Sequence, residues 1–288
     1  MNNRKTLRMI FPEWQGGVNP NYAFGPYILS HIAPESKSSE TVEVPVDKNY
    51  KEPLKMENGY YAGKVLREQQ LAAKEILTEK EPTHVVTFGG DCSVSQAAFD
   101  YLHGRYPDDL GILWIDAHPD ISTPNDFSHE HAMVLGNLIG YGAPELRNIV
   151  ENPFKASDVI YAGLKSKEML DYEKKYVEEL KLAHVQPEKL MISSKPLLDW
   201  ISNNGIKYLA VHFDMDALTS MDFRSLLYNE PGLGPVDYAT GTMTLKQVVR
   251  IINDVEQQVE VVGLTIAEYM PWDLINLRKA MESIKIFK

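Results

Sequence analysis

Short, almost continuously apolar runs alternate along the chain with longer stretches in which apolar positions recur every three or four residues. His84–Phe88 (HVVTF), Gly111–Ile115 (GILWI) and Tyr208–Phe213 (YLAVHF) show little alternation of polar and apolar side chains. That pattern marks strands covered on both faces. Further strands are predicted at Arg8–Phe11, Thr41–Val46, Val159–Gly163 and Val259–Ile266. Helical spacing predicts Gly63–Glu79, Ser93–Tyr106, Lys165–Leu180, Lys195–Asn203, Leu245–Gln258 and Pro271–Lys285. The alternation predicts one α/β domain over residues 1–288, a mostly parallel, doubly wound sheet with helices on both faces. No Ser/Gly-rich linker, internal repeat or low-complexity stretch divides it. Ligands of open α/β sheets bind beyond the carboxyl ends of strands. The loops after Asp116 and Asp216, each beginning where an apolar run stops, are therefore where chemistry is expected.

Three strand ends carry concentrated polar chemistry: Thr87 to Ser93 (TFGGDCS), Trp114 to Asp120 (WIDAHPD) and His212 to Asp216 (HFDMD). In extended backbone, alternate residues point to one side, which groups Asp116, His118 and Asp120, and likewise Asp214 with Asp216. Four converging carboxylates raise one another's pKa values unless a cation lies among them. Oxygen-rich ligation with one imidazole suits a hard or borderline divalent ion such as Mn²⁺, and bridging carboxylates would support two ions. An isolated Asp-x-Asp more often caps a turn, and a lone His118 would more often be structural. Two such pieces at the ends of buried strands tip the balance towards ligation.

Charge sharpens this picture. With 29 Lys+Arg against 40 Asp+Glu the formal charge is −11, which argues against general nucleic-acid binding and fits a cationic substrate or metal ions. The N-terminal apolar run is broken by Arg8 and Pro12, and no stretch approaches the roughly 18 apolar residues of a membrane span. A cytoplasmic protein with no membrane partner is expected. The single cysteine, Cys92, excludes an intramolecular disulfide. It would ordinarily be dismissed as a small buried hydrophobe, but it sits in one of the three polar strand ends.

These segments resemble the signature motifs of the ureohydrolase family (arginases, agmatinases, formimidoylglutamases and relatives). Gly89-Gly90-Asp91-Cys92-Ser93 resembles Gly-Gly-Asp-His-Ser, and Asp116-Ala117-His118-Pro119-Asp120 resembles Asp-Ala-His-x-Asp. The segment from His212 to Ser220 is similar to Ser-x-Asp-x-Asp-x-x-Asp-Pro. Phe24-Gly25-Pro26, Ala162-Gly163-Leu164-Lys165, Pro231-Gly232-Leu233-Gly234 and the run from Gly263 to Pro271 extend the likeness in family order. The resemblance implies an arginase-like three-layer fold and a metal-dependent hydrolase of guanidino or amidino C–N bonds. Urea release would follow attack by water activated between two Mn²⁺ ions. It implies Cys92, Asp116, His118, Asp120, Asp214 and Asp216 as the metal-site positions, with Asp116 and Asp214 bridging. Asp120 would also orient the attacking water. Phe127 to Met133 is similar to Gly-Asn-x-His-Gly-Met, which makes His131 a proton shuttle and sets His129 where the family often has Asn. Glu268 would hold the guanidinium through paired hydrogen bonds. A homo-oligomer, trimer or hexamer, is implied by analogy.

The departures are specific. Cys92 replaces a ligating His, His212 replaces Ser, and Thr219-Ser220 replace Asp-Pro. The stretch Ile121 to Glu130 (ISTPNDFSHE) lacks the Asn/Ser-rich pattern with which arginases hold the amino-acid end of arginine. Agmatinase or formimidoylglutamase activity therefore stands as an alternative. A ureohydrolase-fold binding or regulatory protein with impaired metal chemistry is the alternative of another class. Deacetylase chemistry is a third, opposed by the Gly-Gly-Asp and Glu268 segments. A ligating Cys92 thiolate would shift preference towards Zn²⁺, Fe²⁺ or Co²⁺. Otherwise Cys92 points away and leaves one site weak or empty, or it forms a redox-sensitive site.

Overall fold

The apolar runs become strands because each residue in them has a helix layer to face on one side of the sheet or the other. A computed structural model describes residues 4–287. Positions 1–3 and 288 of the expected 1–288 domain lie outside the described residues. The strands are β1 (Thr6–Phe11), β2 (Ser39–Glu43), β3 (Met56–Glu57), β4 (Tyr60–Tyr61), β5 (His84–Gly89), β6 (Leu110–Ile115), β7 (Val159–Ala162), β8 (Ala183–Val185), β9 (Tyr208–Asp214) and β10 (Glu260–Ala267). Eight of them form one sheet in the order β2-β1-β5-β10-β9-β6-β7-β8, and β3 pairs with β4 alone. Every pairing in the large sheet is parallel.

The helices are α1 (Gly25–Ile32), α2 (Gly63–Lys80), α3 (Ser95–Arg105), α4 (Val134–Leu138), α5 (Pro144–Arg147), α6 (Asp171–Glu179), α7 (Pro187–Ile192), α8 (Lys195–Asn203), α9 (Leu245–Glu256) and α10 (Trp272–Ser283). Strand side chains alternate between two cores. Met9, Phe11, Ile112 and Trp114 pack with Leu77 of α2, Phe99 of α3 and Val177 of α6. Leu113, Ile115, Val211 and Phe213 pack on the opposite face with Leu197 of α8 and Ile251 of α9. The expected three-layer α/β arrangement is what the chain adopts. No helix among the described residues is long and apolar enough to cross a membrane.

Several elements differ from the sequence expectation. β2 ends at Glu43 rather than Val46, although Val44 is fully buried and donates its N–H to the Ile10 carbonyl. The helix expected over Lys165–Leu180 begins only at Asp171, where Glu173 accepts the Leu170 N–H at 2.7 Å and fixes the first turn. α1 opens on Gly-Pro, which reads as a turn although Pro is well tolerated in a first helical turn. β8 is three residues at the sheet edge, too short to show a period.

The order β5-β10-β9-β6 places side by side the carboxyl ends of the three strands that carry the polar motifs, with the Glu268 strand among them. Gly90 secures the first of these ends. Its N–H donates to the Phe11 carbonyl at 3.0 Å, its carbonyl accepts from Glu268 N at 2.7 Å, and an added Cβ would fall on the Glu13 carbonyl. Gly90→Ala is expected to cost about 3 kcal/mol, the upper end for overpacking a tight interior. A drop in the urea midpoint with an unchanged m-value would show it; an unchanged midpoint would refute the assigned constraint.

Candidate metal centre and active site

Each polar motif begins as a turn stabilised by its own carboxylate. Beyond β5, buried Asp91 caps a 3-10 turn over Cys92–Val94 and accepts from Ser93 N at 3.1 Å and Gly17 N at 2.8 Å. Gly16 lies so close to Asp91 and Ser93 that no side chain fits there. Beyond β6, Asp116 Oδ1 accepts from His118 N at 2.6 Å and Oδ2 from Trp114 Nε1 at 3.0 Å. Beyond β9, Asp214 Oδ1 accepts from Asp216 N at 2.6 Å. The capping role weighed for an isolated Asp-x-Asp is therefore present in both pieces, alongside their convergence.

That convergence does not come from extended alternation. The chain turns at Asp116, and Asp120 adopts a left-handed backbone with φ 49°. Donor atoms of Cys92, Asp116, Asp120 and His212 lie within 4.8 Å of one another, as do those of Asp116, His118 and Asp216, and those of Cys92, Asp214 and Glu268. Asp116 belongs to two of these groups and Cys92 to two. Cys92 Sγ donates to Asp214 Oδ2 at 2.8 Å, and His118 Nδ1 stands 2.9 Å from Asp216 Oδ2 and 3.6 Å from Asp116 Oδ1. The six positions expected to serve as ligands thus occupy one patch, largely buried except for partly exposed His118.

The expected substrate-side residues adjoin it. His131 Nδ1 is 2.7 Å from Glu268 Oε1, and Tyr22 Oη donates to Glu268 Oε2 at 2.9 Å. Glu268 also has left-handed backbone, φ 62°. Strain of this kind concentrates at functional sites. His129 instead belongs to an aromatic group, its ring 4.8 Å from Phe127 and 6.0 Å from Tyr61. Burial and the neighbouring His131 lower its pKa to about 4, so it is neutral at pH 7.

Electrostatics show what the cluster lacks. Burial and then the Asp216 carboxylate push Asp116 up to about 7. Burial and neighbouring carboxylates hold Asp120 and Asp214 well above the usual range, and burial with Asp214 does the same to the Cys92 thiol. Burial pushes Asp216 up, but His118 together with hydrogen bonds from its neighbours holds it below the usual range, and Asp216 and Asp116 in turn raise His118 against the opposing effect of burial. Asp120 Oδ2 and His212 Nε2 are buried with no hydrogen-bond partner among the described residues. Oxygen, nitrogen and sulfur donors with orphaned lone pairs and excess negative charge fit divalent cations.

Sequence reasoning missed a second layer of acids behind this patch. Glu13 accepts from the Gln69 and Gln70 amides at 2.6 and 3.1 Å, and Glu130 accepts from Asn137 at 2.7 Å. It also missed Tyr22, which lies 246 residues from its partner Glu268 and in no recognisable motif. Burial, reinforced by Asp91 and partly offset by the Asn137 hydrogen bond, pushes Glu130 up to about 8. Between its ordinary 4.5 and about 8 the folded chain keeps a proton that the unfolded chain has lost. Stability therefore falls as pH rises through that window. Glu130→Gln is expected to raise Tm at pH 8 and leave it nearly unchanged at pH 4; an equal effect at both values would refute the assigned ionisation.

The model of the Arginase family matches residues 23–276. The arginase of Entamoeba histolytica is 24% identical over 143 residues, covering 46% of this chain and 47% of that protein. A Staphylococcus aureus arginase is 24% identical over 211 residues, covering 70% of this chain and 65% of that protein. The chain thus spans about half to two thirds of the length of these curated relatives. The structure of E. histolytica arginase with L-ornithine superposes with a TM-score of 0.78 at 18% identity, over 93% of this chain and 91% of that one. Formimidoylglutamase from Bacillus subtilis superposes with a TM-score of 0.69 at 13% identity, over 93% of this chain and 80% of that one. At such identities the superpositions establish a shared fold.

Proposed function

The chain belongs to the arginase family, and from that premise we propose that it is a metal-dependent hydrolase cleaving a guanidino or amidino C–N bond of a small cationic substrate, with arginase-like release of urea. The observation that carries this reading is the buried convergence of Cys92, Asp116, His118, Asp120, Asp214 and Asp216, with His131 and Glu268 paired beside them. Asp116, Asp120 and Asp214 with position 92 would hold one ion, and His118, Asp116, Asp214 and Asp216 the other. Bound dications, Mn²⁺ by family likeness, would lower the pKa of a water enough to supply a nucleophile near pH 7.

The chain's own residues do the rest. Asp120 Oδ2, buried and unpartnered, accepts a hydrogen bond from the attacking water and orients it. Tyr22 holds Glu268 Oε2, which leaves Oε1 to exchange His131 for a guanidinium N–H. A carboxylate takes a guanidinium through charge-assisted bonds. Burial lowers the His131 pKa, but the charge and hydrogen bond of Glu268 outweigh it and raise it, which favours the protonated imidazole. Once displaced, His131 gives its proton to the departing amine while the water oxygen stays on carbon as urea.

A screen of urea release from arginine, agmatine and guanidinobutyrate, and of formamide release from formimidoylglutamate, with Mn²⁺, Co²⁺ and Zn²⁺ added in turn, tests the proposal. Product from one of these compounds is the expected result, and its absence from all would sink the reading. Asp116→Ala should abolish turnover and reduce bound metal, whereas full activity in that variant would contradict a shared ligand. His131→Asn should lower kcat by about 10²-fold or more, the usual scale for removing a general acid. Unchanged kcat would remove His131 from proton transfer.

A further inference from the structure

His212 lies beneath the carboxylates on the floor of the site. It stands on β9 two residues before Asp214, paired with Trp114 of β6 on one side and Thr265 of β10 on the other. Its ring stacks on the Trp114 indole, with centroids 3.7 Å apart and planes 10° from parallel. Its Nδ1 is 2.7 Å from Ser95 Oγ at the start of α3. These contacts fix the ring without using Nε2, which is buried and has no partner. Leaving such a nitrogen unpaired opposes folding. When Nδ1–H is donated to Ser95, Nε2 keeps its lone pair, the form in which imidazole binds metals.

We propose that His212 and Cys92 jointly supply nitrogen and sulfur donors to the ion that Asp116 and Asp120 also hold, making this a rearranged metal site. The inference rests on the metal-centre reading above. One donor atom from each of these four residues falls within a common 4.8 Å. Cys92 and His212 are also two of the positions where the chain departs from the family motifs. A thiol reaches less far than an imidazole, and the imidazole at 212 returns the missing nitrogen from the sheet below. Sulfur and nitrogen donors make this position softer than the one formed by His118 and Asp216. It therefore takes Zn²⁺, Fe²⁺ or Co²⁺ ahead of Mn²⁺. The rival use of Nε2 is a buried water shared with Thr87 and Thr265, whose unpartnered hydroxyls lie on the same row of the sheet.

The test is titration of the purified, metal-free full chain with Co²⁺, read by visible and near-ultraviolet absorption and by metal analysis. The wild type should show a thiolate-to-cobalt charge-transfer band. His212→Ser should weaken the ion responsible for it by at least about tenfold. The double exchange Cys92→His with His212→Ser should abolish the band and turn the preference towards Mn²⁺. An unchanged band and affinity in His212→Ser would overturn the assignment and leave His212 to the polar row. A wild type that binds ions and releases urea without the band would overturn it while sparing the hydrolase reading. A wild type that binds no ion overturns both. Should the single variant fail to fold, X-ray absorption of the two-zinc wild type decides. Sulfur at ~2.3 Å and one imidazole per zinc are expected; half an imidazole per zinc would overturn the proposal.

Discussion

Mutual repulsion among buried carboxylates is the constraint to which the rest of the structure answers. Asp116, Asp120, Asp214 and Asp216 lie at the ends of two neighbouring central strands, each less than a tenth exposed. Among the described residues, His118 is the one imidazole that directly bridges two of them, Asp116 and Asp216. Burial and the Asp216 carboxylate raise Asp116 to about 7, the mark of acids packed together away from water. Burying four acids without countercharge opposes folding. The surrounding fold offsets part of this with backbone N–H groups aimed at Asp116 and Asp214 and an indole N–H aimed at Asp116.

The parts legible in sequence were those encoded locally. Continuous apolar runs such as GILWI and YLAVHF identified central strands because both faces of those strands are covered. The carboxylates and imidazoles at their ends were visible because each motif is one short segment. Contacts made across the fold were less visible. Tyr22 meets Glu268, and Asp91 ties the Gly16-Gly17 loop to the start of the Cys92 turn, through packing that leaves no periodic trace. The edge strand β8 and the Gly-Pro start of α1 were missed for the opposite reason: too few residues, or residues whose local preference points to a turn.

Cys92 and His212 show how a departure at one position acquires meaning from another. Alone, the cysteine reads as a weakened ligand and the histidine as a buried oddity. With Trp114 stacked on the histidine and Asp214 accepting from the cysteine, they bring an imidazole and a thiol to one cluster from either side of β10. Acidic excess has likewise become local. Part of the formal charge of −11 is concentrated in this cluster and in the layer formed by Glu13, Asp91 and Glu130 behind it.

The last strand among the described residues, β10, lies in the middle of the sheet between β5 and β9. Until it arrives, β2, β1 and β5 form one block and β9, β6, β7 and β8 another, with no strand pairing between them. Cys92 belongs to the first block, and the aspartates to the second. A chain emerging from the ribosome therefore cannot bring these side chains together in instalments. Most of its length must be synthesised, and the two half-sheets kept from aggregating along their open edges, before the final insertion joins them. Such late, long-range pairing slows folding and delays assembly of the cluster until the sheet is closed.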